Sequence, residues 1–186
     1  MKAGCALARV LLALCAAALL LANAPAAGQG LGLARVSAVK AAFLYKFGSF
    51  VEWPAGAFRA PGDPLVIAVF GDEAVASELE QITQGRRIES HPIVVRRVRD
   101  ADDVGTPHIL FAGGPRAARA HAVLAAVRGA VLTVGELPAA GRSGAVLDFT
   151  EDEGRVRFNA SLTAATNRGL RLSARLLAVA QDVEGR

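Results

Sequence analysis

From Val36 to Val51 the apolar residues recur at steps of three and four. They fall at Val36, Val39, Phe43, Phe47 and Phe50, with Ala42 and Val51 beside them. That spacing predicts one buried helical face, with Ser37 as N-cap and Pro54 as the stop. The period then shortens. "PLVIAVFGD" predicts a buried strand over Leu65 to Phe70, and "DEAVASELEQI" predicts a helix with Val75, Leu79 and Ile82 on one side. "PIVVRRV", "HILFAG" and "AVLTVG" predict three more strands. Adjacent Val94 and Val95 place one residue on each side of the sheet. Between the last two strands, "PRAARAHAVLAAVRG" predicts a helix, with Pro115 in its first turn and Gly129 as its C-terminal cap.

Beyond Gly144 the pattern changes. "GAVLDFTEDEGRVRFNAS" predicts a hairpin around an acidic glycine turn, and Arg155 and Arg157 alternate with Val156 and Phe158 to give its second strand one wet face. "SLTAATNRGLRLSARLLAVAQDV" is roughly helical, but Gly169 can divide it in two. Strand–helix repeats followed by a hairpin predict a single α/β domain. Its sheet is largely parallel with helices on both faces, an antiparallel hairpin near the C-terminus and a C-terminal helix.

The N-terminus has a different character. Lys2 and Arg9 precede "VLLALCAAALLLA", and small, breaker-rich "NAPAAGQG" follows. That layout predicts a secretory signal over residues 1–26, cut somewhere between 24 and 27. The apolar run is shorter than the ~20 residues of a membrane-spanning helix, so soluble export without an integral span is expected. Cys5 and Cys15 both lie in the leader. The mature chain then has no thiol for a disulfide, a thiolate metal site or a nucleophile. Of 21 Lys+Arg two are in the leader, against 17 Asp+Glu, and the formal charge falls from +4 to +2. No basic run interleaved with aromatics points to nucleic acid.

Few residues suggest chemistry. Gly71, Asp72 and Gly113 follow strand ends, where open α/β sheets bind ligands, and make a candidate pocket; Asp72 is equally an ordinary N-cap. "GRSGA" around Ser143 precedes a strand, whereas a nucleophile elbow leads into a helix. His91, His108 and His121 have no metal-ligand spacing. Asp100, Asp102 and Asp103 fit helix capping or a solvated loop. Arg168, Arg171 and Arg175 form a basic C-terminal group, with Arg171 and Arg175 expected on one helix face, that could meet an acidic partner. Tyr45 points away from the apolar stripe. Trp53 ends it beside Pro54, either as core or as an exposed anchor.

In order, "KAAFLYKFGSFVEWP", "PLVIAVFGD", "PIVVRRV", "HILFAG", "AVLTVGE", "RVRFNASLTAA" and "GLRLSARLLAVA" resemble the YfiR family of small periplasmic regulators. The resemblance covers residues 36–183, and its strongest marks are Lys40 to Pro54 and Arg155 to Ala180. Here "RFNAS" stands where the family has F-x-[IV]-N, so either Asn159 or Ser161 is the counterpart of that asparagine. The resemblance implies a non-catalytic periplasmic protein without a cofactor, and a homodimer. It implies repression of the periplasmic part of a membrane-bound diguanylate cyclase or another sensor protein, which lowers cyclic di-GMP and biofilm formation. An OmpA-like outer-membrane lipoprotein would release that repression. The family's redox tuning through disulfides has no counterpart in a cysteine-free mature chain. Two other readings are a periplasmic small-molecule-binding module coupled to a sensor or outer-membrane receptor, and a hydrolase using His108, Asp103 or Ser143.

Overall fold

The computed structural model describes residues 27–136 and 143–185. The expected signal segment, residues 1–26, lies outside the described residues, and of the cleavage alternatives only the last, at Ala27, reaches them. Residues from Ala34 onward form one compact unit. In chain order the elements are α1 (Ala27–Phe47), of which residues from Ala34 belong to this unit, β1 (Val51–Glu52), β2 (Leu65–Phe70), α2 (Glu73–Thr83), β3 (Arg87–Ile88) and β4 (His91–Val98). They continue with β5 (Ile109–Ala112), α3 (Ala117–Ala126), β6 (Leu132–Glu136), β7 (Leu147–Asp152) and β8 (Arg155–Ser161). The chain closes with α4 (Leu162–Asn167), β9 (Arg171–Leu172), α5 (Ala174–Val179) and β10 (Asp182–Glu184).

Eight strands form one sheet in the order β10-β8-β7-β6-β5-β2-β4-β3, and β1 pairs with β9 in a separate two-stranded ladder. The run β7-β6-β5-β2-β4 is parallel, β8 returns antiparallel to β7, and β10 lies parallel to β8. The hairpin turn is Glu153-Gly154, with φ 47° and 73°. Positive φ at both central positions is the turn geometry that follows the natural twist of paired strands.

Alternation along β2 divides the interior. Leu65, Ile67 and Val69 face a cluster with Ala41, Leu44 and Phe47 of α1 and Val75 and Leu79 of α2. Ala68 and Phe70 face a second cluster with Ala120, Val123 and Leu124 of α3. Helices therefore cover both faces of a mainly parallel sheet, as the strand–helix alternation predicts. Asp72 caps α2, its Oδ1 accepting from Val75 N at 3.0 Å.

The first helix departs from the expected pattern. Ser37 lies inside α1 rather than capping it, and α1 ends at Phe47. Val51 belongs to β1, opposite Leu172. The buried face is Ser37, Lys40, Ala41, Leu44 and Phe47, whereas Val39 is exposed and Val36, Phe43 and Phe50 are half-buried. The apolar stripe is thus rotated by about one residue, and a lysine occupies part of the core face. The C-terminal segment does break at Gly169, which has φ 68°. β1, β3, β9 and β10 have two or three residues each, too short for alternation to mark them.

Candidate functional site

At the carboxyl edge of the parallel strands, Gly71, Asp72 and Gly113 come together. Gly113 N donates to Phe70 O at 3.1 Å. The space between them is filled from within the protein. Lys40 Nζ lies 2.5 Å from Glu136 Oε1 and 4.0 Å from Asp72 Oδ2. Glu136 Oε2 accepts from Gly114 N at 3.0 Å. A Cβ on Gly113 would sit 2.7 Å from Glu136 Cβ and 2.8 Å from Phe111 Cζ, so the absence of a side chain there admits the carboxylate. Three strand ends and α1 are tied by one buried ammonium and two carboxylates.

At the opposite edge, the segment between β1 and β2 is held by stacked rings. Phe58 stacks on His91 at 3.7 Å and on His108 at 4.2 Å between centroids. His108 is fixed in one tautomer: Val66 N donates to its Nδ1 at 3.1 Å, and its Nε2–H donates to Ala57 O at 3.1 Å. His91 Nδ1–H donates to Asp63 O at 2.7 Å. Burial lowers the His108 pKa, and nearby His91 adds to this, against the opposing Ala57 carbonyl and Asp63 charge. The fold therefore holds His108 neutral, while the unfolded chain takes up a proton near pH ~6.5. Stability from this group is present above that pH and falls as pH drops below it, since the unfolded state then binds more protons. We expect the urea midpoint to fall on acidification through that range, and to fall less in His108→Phe, which keeps a ring but cannot titrate. Parallel pH profiles for both proteins would remove His108 as the cause.

The hydrolase candidates are not assembled. Both His108 nitrogens are engaged by backbone groups. Ser143 is buried, donates to Asp148 and accepts from Ala145 N at 3.0 Å. Asp102 and Asp103 lie in an exposed 3-10 turn, and Asp100 makes no side-chain cap. No group of three or more His, Cys, Asp or Glu among the described residues is placed to hold a metal.

Trp53 is half-buried against the first core cluster, edge-on to Phe58 at 6.1 Å and to His108 at 6.3 Å. Its Nε1 is buried without an acceptor among the described residues. Tyr45 is half-buried, with Lys46 and Arg86 over its ring at 5.6 and 5.7 Å. Arg171 and Arg175 do not share a helix face. Arg171 is in β9, exposed and 3.7 Å from Glu52, whereas Arg175 is exposed on α5. The helix breaks at Gly169, Arg171–Leu172 pair with β1 as a strand, and a new helix starts only after its cap, Ser173. Arg168 is half-buried, and its near neighbour is Arg128, a residue the sequence reading passed over. Ser161, not Asn159, caps α4, accepting from Ala164 N at 3.2 Å. Asn159 Oδ1 is buried without a partner among the described residues.

These features define a single-domain α/β protein whose strand ends are sealed by its own side chains and whose described polar groups form no assembled catalytic constellation. The sequence pattern of the YfiR/HmsC-like family matches residues 37–181, and the chain belongs to that family. Membership supports a general role as a periplasmic regulator of cyclic di-GMP signalling. No curated protein shows significant similarity. Among the solved structures it is similar to is a conserved domain protein from Vibrio cholerae O1 biovar El Tor strain N16961, at 16% identity and TM-score 0.42. That match covers 64% of this chain, which spans little more than half of the other, 55%. No helix among the described residues is long and apolar enough to cross a membrane.

Proposed function

We propose that this chain is a non-catalytic periplasmic regulator. It binds the periplasmic part of an inner-membrane diguanylate cyclase and holds it inactive, lowering cyclic di-GMP and biofilm formation. The observation that carries this reading is the family match across residues 37–181, nearly the whole described unit. The mechanism is a population shift. The regulator binds the inactive cyclase more tightly than the active one, because equal affinity would change nothing. Release follows when another partner, an OmpA-like lipoprotein of the outer membrane, competes for it. The working form is a homodimer. Tyr45, Trp53, Arg168, Arg171 and Arg175 are the proposed contact residues.

Deleting the gene should raise cellular cyclic di-GMP, and returning the exported protein should reverse the rise. An unchanged level in a strain that normally makes the protein would end the cyclase reading. Arg171 and Arg175 are both exposed, so changing both to Glu should leave the thermal midpoint in place and weaken repression. Full repression by that folded variant would move the contact surface elsewhere.

A further inference from the structure

Two guanidinium groups meet at the carbonyl end of α3. Arg128 Nη1 donates to Ala125 O and to Val127 O, the latter at 3.3 Å. Arg168 Nη1, arriving from the end of α4, donates to the same Val127 O at 3.5 Å. The carbonyl end of a helix attracts cations, which accounts for one arginine. The second is held there against the first: burial and the charge of Arg128 both push the Arg168 pKa below its usual value.

Among the described residues, which include every Asp and Glu of the chain, neither guanidinium has a carboxylate within 4.0 Å. Arg97 makes a useful contrast, since Glu73 and Glu80 both bind it. Arg128 and Arg168 instead line an open groove of about 630 Å³, with Pro54, Ala130, Gly144, Ala164 and Asn167 completing its walls. A second groove of about 640 Å³ shares Pro54, Arg128, Gly129 and Ala130 with the first and runs on past Phe58, Arg59 and His108. Asp63 lines the far groove, where its Oδ2 accepts from Ala60 N at 2.9 Å. Together the grooves form a long trough over the amino ends of β2, β5 and β6. Glycines and alanines recur in its lining, and its cations are Arg128 where the two grooves meet, Arg168 in the first and Arg59 in the second.

We propose that this trough is a docking site for an extended acidic segment of a protein partner, one of whose carboxylates is clamped between Arg128 and Arg168. This rests on the regulator reading above and specifies the chemistry of the partner. A carboxylate would relieve the repulsion between the two guanidiniums and accept paired hydrogen bonds from them. Two adjoining open grooves of about 630 and 640 Å³ offer more room than a compact anion fills and suit a peptide chain.

The probe is a fluorescein-labelled peptide of alternating glutamate and serine, titrated into the folded mature protein and followed by anisotropy. Saturable, salt-weakened binding is expected. Arg128→Gln and Arg168→Gln should each weaken it about tenfold, the equivalent of one lost charge-assisted contact, and Arg155→Gln, at an exposed cation that lines neither groove, should not. Arg128 is exposed, so its variant tests the site even if Arg168→Gln fails to fold. No saturation, or equal affinity in Arg128→Gln, overturns the proposal. Displacement of the peptide by inorganic phosphate at matching concentration also overturns it, and assigns the pair to a free anion. In the deletion strain, wild-type protein that lowers cyclic di-GMP alongside an Arg128→Glu variant that does so equally well removes the trough and leaves the regulator standing. Failure of the wild-type protein itself removes the regulator reading, while the peptide titration still decides what the trough binds.

Discussion

Lys40→Met lowers the unfolding free energy by about 3–5 kcal/mol, the usual consequence of stripping one partner from a buried ion group. Lys40 and Asp72 have side chains only 9% and 11% exposed, and Glu136 is 28% exposed. Removing the ammonium leaves two carboxylates facing each other without a counter-charge, and water reaches them poorly. The loss is therefore larger than the value of the ion pair itself. Adding Glu136→Gln to Lys40→Met should recover part of it, because it removes one of the stranded charges, and the coupling can be read from a double-mutant cycle. Urea denaturation of the three proteins measures this directly. A loss under ~1 kcal/mol for Lys40→Met would show that the network is solvated and contributes as weakly as a surface pair.

Phe47→Ala costs about 3–5 kcal/mol, the range for deleting a fully buried aromatic side chain. Phe47 is 1% exposed and touches rings on every side. Its centroid lies 5.0 Å from Phe158, 5.8 Å from Phe43 and 5.9 Å from Phe149. These neighbours sit on α1 and on both arms of the β7–β8 hairpin, so they cannot collapse together without moving the sheet. Phe50, which belongs to the same apolar stripe in the sequence, is only half-buried. Phe50→Ala should cost markedly less. Equal losses from guanidinium denaturation of the two variants would restore the stripe inferred from spacing and contradict the rotated face.

That contrast shows where the sequence was readable. The long strands and the two central helices were visible because each carries several residues of unbroken period, as in Leu65 to Phe70 and Val75 to Ile82. The hairpin was visible through its acidic glycine turn. The face of α1 was not, because a pattern that scores only apolar residues assigns Val39 to the interior and Lys40 to solvent. What reverses them is the charge of Asp72, the N-cap of α2, and of Glu136, at the end of β6. No local window contains those residues. The same limit hid Arg128. It lies 40 positions before Arg168 in the chain, and only the packing of α3 against the end of α4 brings the two to one carbonyl. Arg171 and Arg175 differ for the opposite reason: a local rule of four spans Ser173, where strand β9 gives way to a new helix.

The pairing of β1 with β9 and the seating of α1 on the C-terminal hairpin bear on how the chain is made. Val51 is opposite Leu172, and Phe47 rests on Phe149 and Phe158. Synthesis runs from the N-terminus, so α1 is finished long before any of those partners exists. Phe43 and Phe47 lack these ring partners until the hairpin follows, and contacts this distant in sequence form slowly. Vectorial emergence therefore leaves the newborn polypeptide with a sticky leading end, which must stay shielded from other nascent chains until the trailing end catches up.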